Sequence, residues 1–418
     1  METYAQALNI GIPIFTFFIL IEVFYGSFTK NITANLPDTI SSLSSGITNV
    51  TKDVLGLVVA IVSYNWIETN FAFFDLELSW WMFPLVFVAK DFTGYWIHRF
   101  EHLVNYFWNR HMVHHSSEEY NLSCALRQSI SEVFNFGIFF FFPLAFMGVP
   151  TEVFAVVAPI HLFAQFWYHT KLINKMGPLE LVIVTPSHHR VHHAINSEYI
   201  DKNFSQIFII WDRFFGTFQE ELASIPPVYG IKKPAHTWNP ILINFQHAGR
   251  IWVDFFRTKR WKDKARIWFM PTGWRPEDVS LKYPIEIIEN PYDQVKYMPL
   301  ITQEVKVWSA FQLVLTVSTA MFLFNNLAMF GFPISLLIGA FVFLAVYSYT
   351  TIMDGKGYGL WIELPKSLIA LIGIKYLGQE FEFNQFWTVF LAILFSYHAI
   401  CGSISLVFLA LKKEFLQL

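Results

Sequence analysis

The sequence predicts an all-α protein that crosses a membrane repeatedly and carries a histidine-rich di-metal site at the membrane's cytoplasmic face. Three observations predict it. Of 418 residues, 54% are hydrophobic and only 15% charged, with a mean hydropathy of +0.40, a balance foreign to soluble domains. Apolar runs recur at lengths near the roughly 20 residues that span about 30 Å of hydrocarbon. And eleven of the 14 histidines fall between His98 and His193, where an even spread would put about three.

The first apolar run, 10–25, follows Glu2 rather than a basic start and lacks a small-residue cleavage site, so it reads as a retained helix. Further candidates cover 54–74, 80–97, 133–147 and 153–168. The last two are separated only by Gly148, Val149 and Pro150 and read as a hairpin. After a polar stretch, apolar runs resume at 307–324, 332–349, 360–374 and 386–411, giving about nine spans. Three regions follow: membrane helices with the first histidine groups (1–170), a cytoplasmic or interfacial region with the last group (171–305), and a four-helix membrane block (306–418).

Basic residues set the orientation, because Lys and Arg accumulate on the cytoplasmic side. Between Arg250 and Arg266, seven Lys and Arg alternate with Ile251, Trp252, Phe255, Phe256 and Trp261, the pattern of a helix lying on anionic lipid. With that segment cytoplasmic, four later crossings return Lys412 and Lys413 to the same side. The turns 325–331 and 378–384 then face outward without Lys or Arg. Lys366 and Lys375 fit less neatly, as snorkelling residues or marks of a broken helix. The net charge of −3 leaves no basic field for nucleic acid. Two cysteines, Cys124 and Cys401, cannot build a cysteine-based metal site, so any metal is held by His and carboxylate.

The histidines fall into groups: His98 and His102 in HRFEH, His111, His114 and His115 in HMVHH, then His161 and His169, then His188, His189, His192 and His193 in SHHRVHH. At i, i+3 and i+4 on a helix such side chains share a face. Neutral imidazole suits iron, copper, zinc or nickel, and this many ligands exceeds what one ion coordinates. Hydrolytic zinc usually takes three protein ligands, so two irons activating O2 are the economical reading. His161, on an apolar helix, reads as a core histidine, and His236, His247 and His398 as unremarkable. Asp91, Glu101, Glu118 and Glu119 are candidates to orient imidazole N–H groups. Phe139 to Phe142 read as lipid-facing or packing residues, and Trp211, Phe214, Phe215 and Trp238 as aromatic residues able to stack a flat ring.

HRFEH, HMVHH and HHRVHH, with the DFTGYWI lead-in from Asp91 to Ile97, resemble the fatty acid hydroxylase and sterol desaturase superfamily of membrane di-iron enzymes. HHSSEEYNLSCALRQS from His114, FWYHTKLINKMGPLE from Phe166, IDKNFSQIFIIWDRFFGTF from Ile200 and the stretch from His247 to Asp278 are similar to its ether-lipid-cleaving branch, the alkylglycerol monooxygenases. The resemblance covers Asp91 to Asp278. It implies iron ligation by His98, His102, His111, His114, His115, His169, His189, His192 and His193, with His188, Glu101 and Asp91 as further candidate catalytic residues. One position departs: Leu103 stands where the branch is expected to carry a carboxylate, and Glu101 instead precedes His102. Asp201 and Asn203 match without a derivable role.

The resemblance further implies O2-dependent hydroxylation of the carbon beside an ether oxygen, releasing a fatty aldehyde, with electrons from tetrahydrobiopterin. An external reductant is needed in any case, since the chain offers no CxxC and no convincing dinucleotide fingerprint. The partners are then membrane lipids, the ether lipid and O2, in the endoplasmic reticulum or a bacterial inner membrane. The alternative keeps the di-iron site but gives it a fatty acyl, sterol or carotenoid substrate. A histidine-rich metal transporter is the minor alternative, for which ligands in mid-membrane and paired half-repeats are expected.

Overall fold

The computed structural model describes residues 2–31, 33–56, 64–131 and 136–410. The expected spans 54–74, 133–147 and 386–411 fall partly outside the described residues, and Lys412 and Lys413 entirely so. Among the described residues the chain is all-helical, with three isolated β-bridges and no strands. In chain order the α-helices are α1 (Glu2–Phe28), α2 (Leu36–Val54), α3 (Tyr64–Phe71), α4 (Met82–Leu103), α5 (Asn105–His115), α6 (Phe142–Phe146), α7 (Thr151–Phe163), α8 (Pro186–His192), α9 (Ile210–Phe214), α10 (Pro240–Arg257), α11 (Trp261–Arg266), α12 (Glu277–Lys282), α13 (Gln303–Asn325), α14 (Leu327–Met353), α15 (Gly359–Glu380) and α16 (Gln385–Ala410).

Four helical segments among the described residues are long and apolar enough to cross a bilayer: Ala5–Phe28, Gln303–Asn325, Leu327–Met353 and Gln385–Val407. The protein is therefore integral to a membrane, with fewer clear spans than the nine expected. In the proposed hairpin, α6 has five residues and α7 has 13. At 1.5 Å per residue α7 reaches about 20 Å, short of the hydrocarbon thickness. Pro143 and Pro150 start these two helices, and between them Gly148 adopts φ +80° with its α-carbon against the Phe74 carbonyl oxygen, leaving no room for a Cβ. α4 and α15 are each 22 residues long but carry Lys90 and Asp91, and Glu363, Lys366 and Lys375, respectively. α14 is interrupted at Gly331 (φ 64°), so its continuous part begins where the apolar run 332–349 was expected.

The largest core joins both ends of the chain. Ala5 and Leu8 of α1 and Ile40, Ile47 and Val54 of α2 pack with Phe322, Leu323, Val342 and Val346 of α13 and α14. Serines and threonines line the buried face of α2, and Ser44 Oγ lies 2.6 Å from Tyr349 Oη. In the last four helices the buried Glu363 and Lys366 pair at 2.6 Å. Glu363 also accepts from Gln312 and Ser348, so these charges are satisfied inside the bundle, as apolar surroundings demand.

The basic segment forms two helices rather than one. α10 begins with Asn239 as cap, its side chain accepting from the Ile241 and Leu242 amides, and ends before Thr258. The Thr258 hydroxyl donates to Asp278, and α11 starts three residues on. Trp252 (49% exposed), Phe256 (71%) and Trp261 (80%) face outward beside Lys259, Arg260 and Lys262, which suits an interfacial position.

Candidate metal centre

Two ligand groups are assembled, and both draw on the HMVHH and HHRVHH motifs, the first adding the two histidines of HRFEH and the second His169. His98 and His102 on α4, His111 and His115 on α5, and His192 on α8 form the first; His114 on α5, His169 and His189, and His193 just past α8, form the second. Within each group the candidate ligand atoms all lie within 4.8 Å of one another. The repeated HxxHH spacing explains the split. On α5 the i, i+4 pair His111 and His115 faces the first group and His114 the second. On α8 the assignment is reversed, with His189 and His193 facing the second and His192 the first. The groups adjoin: the rings of His115 and His193 stack at 4.3 Å.

Backbone carbonyls fix the imidazole tautomers. His98 Nδ1 donates to Phe204 O (2.7 Å), His192 Nδ1 to Lys202 O (3.0 Å), His169 Nδ1 to Gln165 O (3.0 Å) and His114 Nδ1 to Arg127 O (3.3 Å). A carbonyl only accepts, so in each neutral ring Nε2 is left as a lone pair. Yet His114 Nε2 lies 3.3 Å from His169 Nε2, and His98 Nε2 lies 2.9 Å from His111 Nε2, whose Nδ1 faces Glu101. His102 Nε2 is buried without a hydrogen-bond partner among the described residues. Lone pairs converging at these distances repel unless a cation sits among them. Protonation is opposed: burial first, then neighbouring imidazoles, pushes His114 down to about 3 and holds His111, His115, His189 and His193 well below the usual histidine range. This donor set fits metal ions, iron among those that neutral imidazole suits.

Two carboxylates stand behind the first group. Glu101 Oε2 lies 3.3 Å from His111 Nδ1, while its Oε1 accepts from Arg110. Asp201 Oδ1 lies 3.5 Å from His102 Nδ1. Asp201 and Asn203 both adopt φ 56°, the left-handed region that Asp and Asn tolerate best after glycine. That turn aims the Asp201 carboxylate at His102 and, between them, the Lys202 carbonyl at His192. Asn203 secures it by donating to the His188 and Gln219 carbonyls. Buried Asp212 holds the next residues, accepting from the amides of Phe204 and Ser205.

The other candidate residues lie apart from both groups. His188 Nδ1 accepts from the Thr185 amide at 3.4 Å, closing the start of α8, and its ring meets Phe218. Asp91 contacts none of the nine histidines through a hydrogen bond. Its oxygens receive His161 Nε2 (2.9 Å), the Ile207 and Phe208 amides (2.8 and 3.0 Å) and Trp211 Nε1 (2.8 Å). It thereby ties α4 to α7 and to the segment before α9. His161 is thus a core histidine, as its apolar helix suggested. Glu118 accepts from the Tyr297 amide, and Glu119 pairs with Lys296. Of the aromatic candidates, Trp211 and Phe215 both pack on Phe92 and the largely exposed Phe214 meets Phe215 at 4.9 Å, while Trp238 lies elsewhere, against Tyr297. His247 bonds to the Asn105 carbonyl, and Phe141 is buried while Phe139 and Phe140 are exposed.

Sequence reasoning passed over the carbonyls of Phe204, Lys202, Gln165 and Arg127, since every residue carries one. It also passed over Arg127, whose fully buried guanidinium donates to Asp38 of α2 at 2.9 Å and to Ser42 and Ser116. That pairing fixes the carbonyl on which His114 rests.

Comparisons with known proteins agree with this geometry. The fatty acid hydroxylase family model matches residues 83–217, which contain all nine clustered histidines. Alkylglycerol monooxygenase from Homo sapiens is 35% identical over 378 residues, covering 90% of this chain and 84% of its own. The Xenopus tropicalis and Danio rerio proteins of the same name are 34% and 33% identical, covering 87% and 89% of this chain and 80% and 83% of theirs. No solved structure matches. The chain belongs to the fatty acid hydroxylase family, within its alkylglycerol monooxygenase branch.

Proposed function

We propose that this protein is a di-iron monooxygenase that hydroxylates the carbon beside the ether oxygen of alkylglycerol lipids, with tetrahydrobiopterin as external reductant. The observation that carries the reading is the convergence of lone-paired Nε2 atoms in two adjoining groups, on a chain whose relatives are alkylglycerol monooxygenases. When bound, the two irons supply O2 activation, so that with two electrons and two protons one oxygen atom enters the C–H bond and the other leaves as water. The hydroxylated ether carbon is then a hemiacetal. Its C–O ether bond breaks, the hydroxyl proton passes to the departing glycerol oxygen, and a fatty aldehyde and a free glycerol hydroxyl result.

The chain's own part is positioning. The nine histidines named above would hold the irons, and Glu101 and Asp201 keep His111 and His102 in the tautomer that presents Nε2. A cavity of about 340 Å³ reaches His102, His115 and His192, and seven isoleucines with Met112, Trp108 and Trp274 give its wall an apolar part suited to a lipid chain. Cys124 and Cys401, both buried and free, offer no redox pair, in keeping with electrons arriving from outside. The basic, aromatic exterior of α10 and α11 supports placing the site at the cytoplasmic face of an endoplasmic reticulum or bacterial inner membrane.

The test is metal analysis of detergent-purified protein together with aldehyde release from an alkylglycerol under air, with and without tetrahydrobiopterin. About two irons per chain and pterin-dependent aldehyde are expected. Two irons without aldehyde would move the assignment to another lipid or donor; zinc alone without redox activity would overturn it.

A further inference from the structure

The cavity beside the first ligand group has a charge imbalance. Its wall contains Lys232, Lys233, Arg250 and Arg275 against two carboxylates, Asp201 and Asp254. Both oxygens of Asp254 are taken by Arg275, at 2.6 and 2.9 Å, and Asp201 faces His102. Among the described residues this leaves Arg250, Lys232 and Lys233 without a carboxylate at ion-pair distance, Asp254 acting on Arg250 and Lys233 only from further off. Arg250 is half-buried, yet its only hydrogen-bond contact among those residues is the Met112 sulfur at 3.7 Å. A guanidinium has five N–H donors and a thioether is a weak acceptor. Burial, and then the nearby Arg275 charge, lowers the Arg250 pKa against the opposing pull of Asp254.

The surroundings say what kind of anion. Met112 lies on α5 between His111 and His115, so Arg250 stands next to the helix that carries the first ligand group. Arg250, Ile251 and Asp254 follow His247 on the inner face of α10 at helical spacings of three, four and seven. The outer face of the same helix exposes Trp252 and Phe256 and suits the lipid interface. A ligand here meets an apolar wall, a cationic patch and the metal site from beneath an interfacial helix. That combination fits an amphiphile with an anionic head, and a phosphate matches a guanidinium beside an ammonium.

We propose that Arg250, assisted by Lys233, binds a phosphate carried by the ether lipid, so that the protein prefers alkylglycerols bearing a phosphate headgroup over neutral ones. The proposal rests on the ether-lipid reading above and adds a specificity-determining residue to it.

The test compares 1-O-alkylglycerol with 1-O-alkylglycerol 3-phosphate of the same chain length, using full-length, iron-loaded protein in uncharged detergent. The wild type is expected to show a KM for the phosphate at least about tenfold lower. Arg250→Gln should raise that KM about 10- to 100-fold, the range of a charge-assisted hydrogen bond, with kcat and the neutral lipid's KM within about twofold. Arg250→Lys should lie between, and Lys233→Gln should shift KM the same way by less. Iron content at the wild-type level reports correct folding; if Arg250→Gln fails that control, the other two variants decide. Equal effects on both substrates, or on neither, would overturn the proposal. Inorganic phosphate that competes as well as the phospholipid, with no KM advantage for the latter, would assign the site to a free anion and overturn the lipid form. If wild-type protein releases aldehyde from neither substrate, the ether-lipid reading has failed. Equilibrium dialysis of the two lipids then tests the anion site separately: retention of the phosphate that depends on Arg250 supports it, and retention indifferent to Arg250 refutes it.

Discussion

Asp91→Asn distinguishes a structural anchor from a catalytic carboxylate. In the structure Asp91 is fully buried and receives four donors: His161 Nε2, two backbone amides and the Trp211 indole N–H. Asparagine keeps the shape but has one accepting oxygen. Whichever way its amide turns, two donors remain on oxygen, without the negative charge, while two face an NH2 group that cannot accept. Leaving a buried donor unsatisfied costs about 1–3 kcal/mol, so two cost about 2–6 kcal/mol, a large share of the roughly 5–15 kcal/mol that holds a domain folded. The assay is thermal inactivation of the purified protein in detergent, with iron content and aldehyde release measured on the surviving fraction. Asp91→Asn should inactivate at markedly lower temperature, while the fraction still folded keeps its iron and much of its turnover. A variant with wild-type thermal stability and full iron but no turnover would refute the anchoring argument and make Asp91 part of the chemistry.

Other perturbations address the metal centre and the membrane. His114→Ala removes one of four ligands from the second group, so iron should fall from about two to about one per chain and turnover by at least about 100-fold. His398→Ala, on α16 and outside both groups, should leave both near wild type; equal activity in the two variants would contradict the clustering. Glu101→Gln removes the charge opposite His111 Nδ1 and should weaken iron retention about 10- to 100-fold, measured by titration with a competing chelator; an unchanged titration would deny Glu101 an orienting role. Phe256→Cys, labelled with a fluorophore, should be quenched by lipid-borne rather than aqueous quenchers, because α10 presents that residue outward at an interface. Quenching only from water would remove α10 from the bilayer.

The histidine motifs were legible without a structure because metal ligation imposes residue type and helical spacing locally: HxxHH on any helix puts imidazoles on neighbouring faces, and mean hydropathy declares a membrane protein by itself. What the sequence could not divide was the ligand set between two centres. That His111 and His115 serve one group while His189 and His193 serve the other depends on how α5 and α8 are docked. The carbonyls that fix the tautomers have no sequence signal at all, and the roles of Asp201 and Asn203 appear only with their left-handed backbone. Of the nine expected spans, four are clear among the described residues. Hydropathy registers apolar side chains but not how much of a run winds into one helix: the runs on either side of Gly148 and Pro150 are told apart in the sequence, yet only the structure shows α6 and α7 to be 5 and 13 residues long. Asp91 reads in the sequence as a candidate orienter of ligands, whereas in the structure its hydrogen bonds go to His161, two backbone amides and Trp211, and Arg250 reads as one positive charge in a basic run. Composition and spacing are properties of the chain, whereas the presence or absence of a partner for a buried donor is a property of packing, and only the tertiary structure decides it.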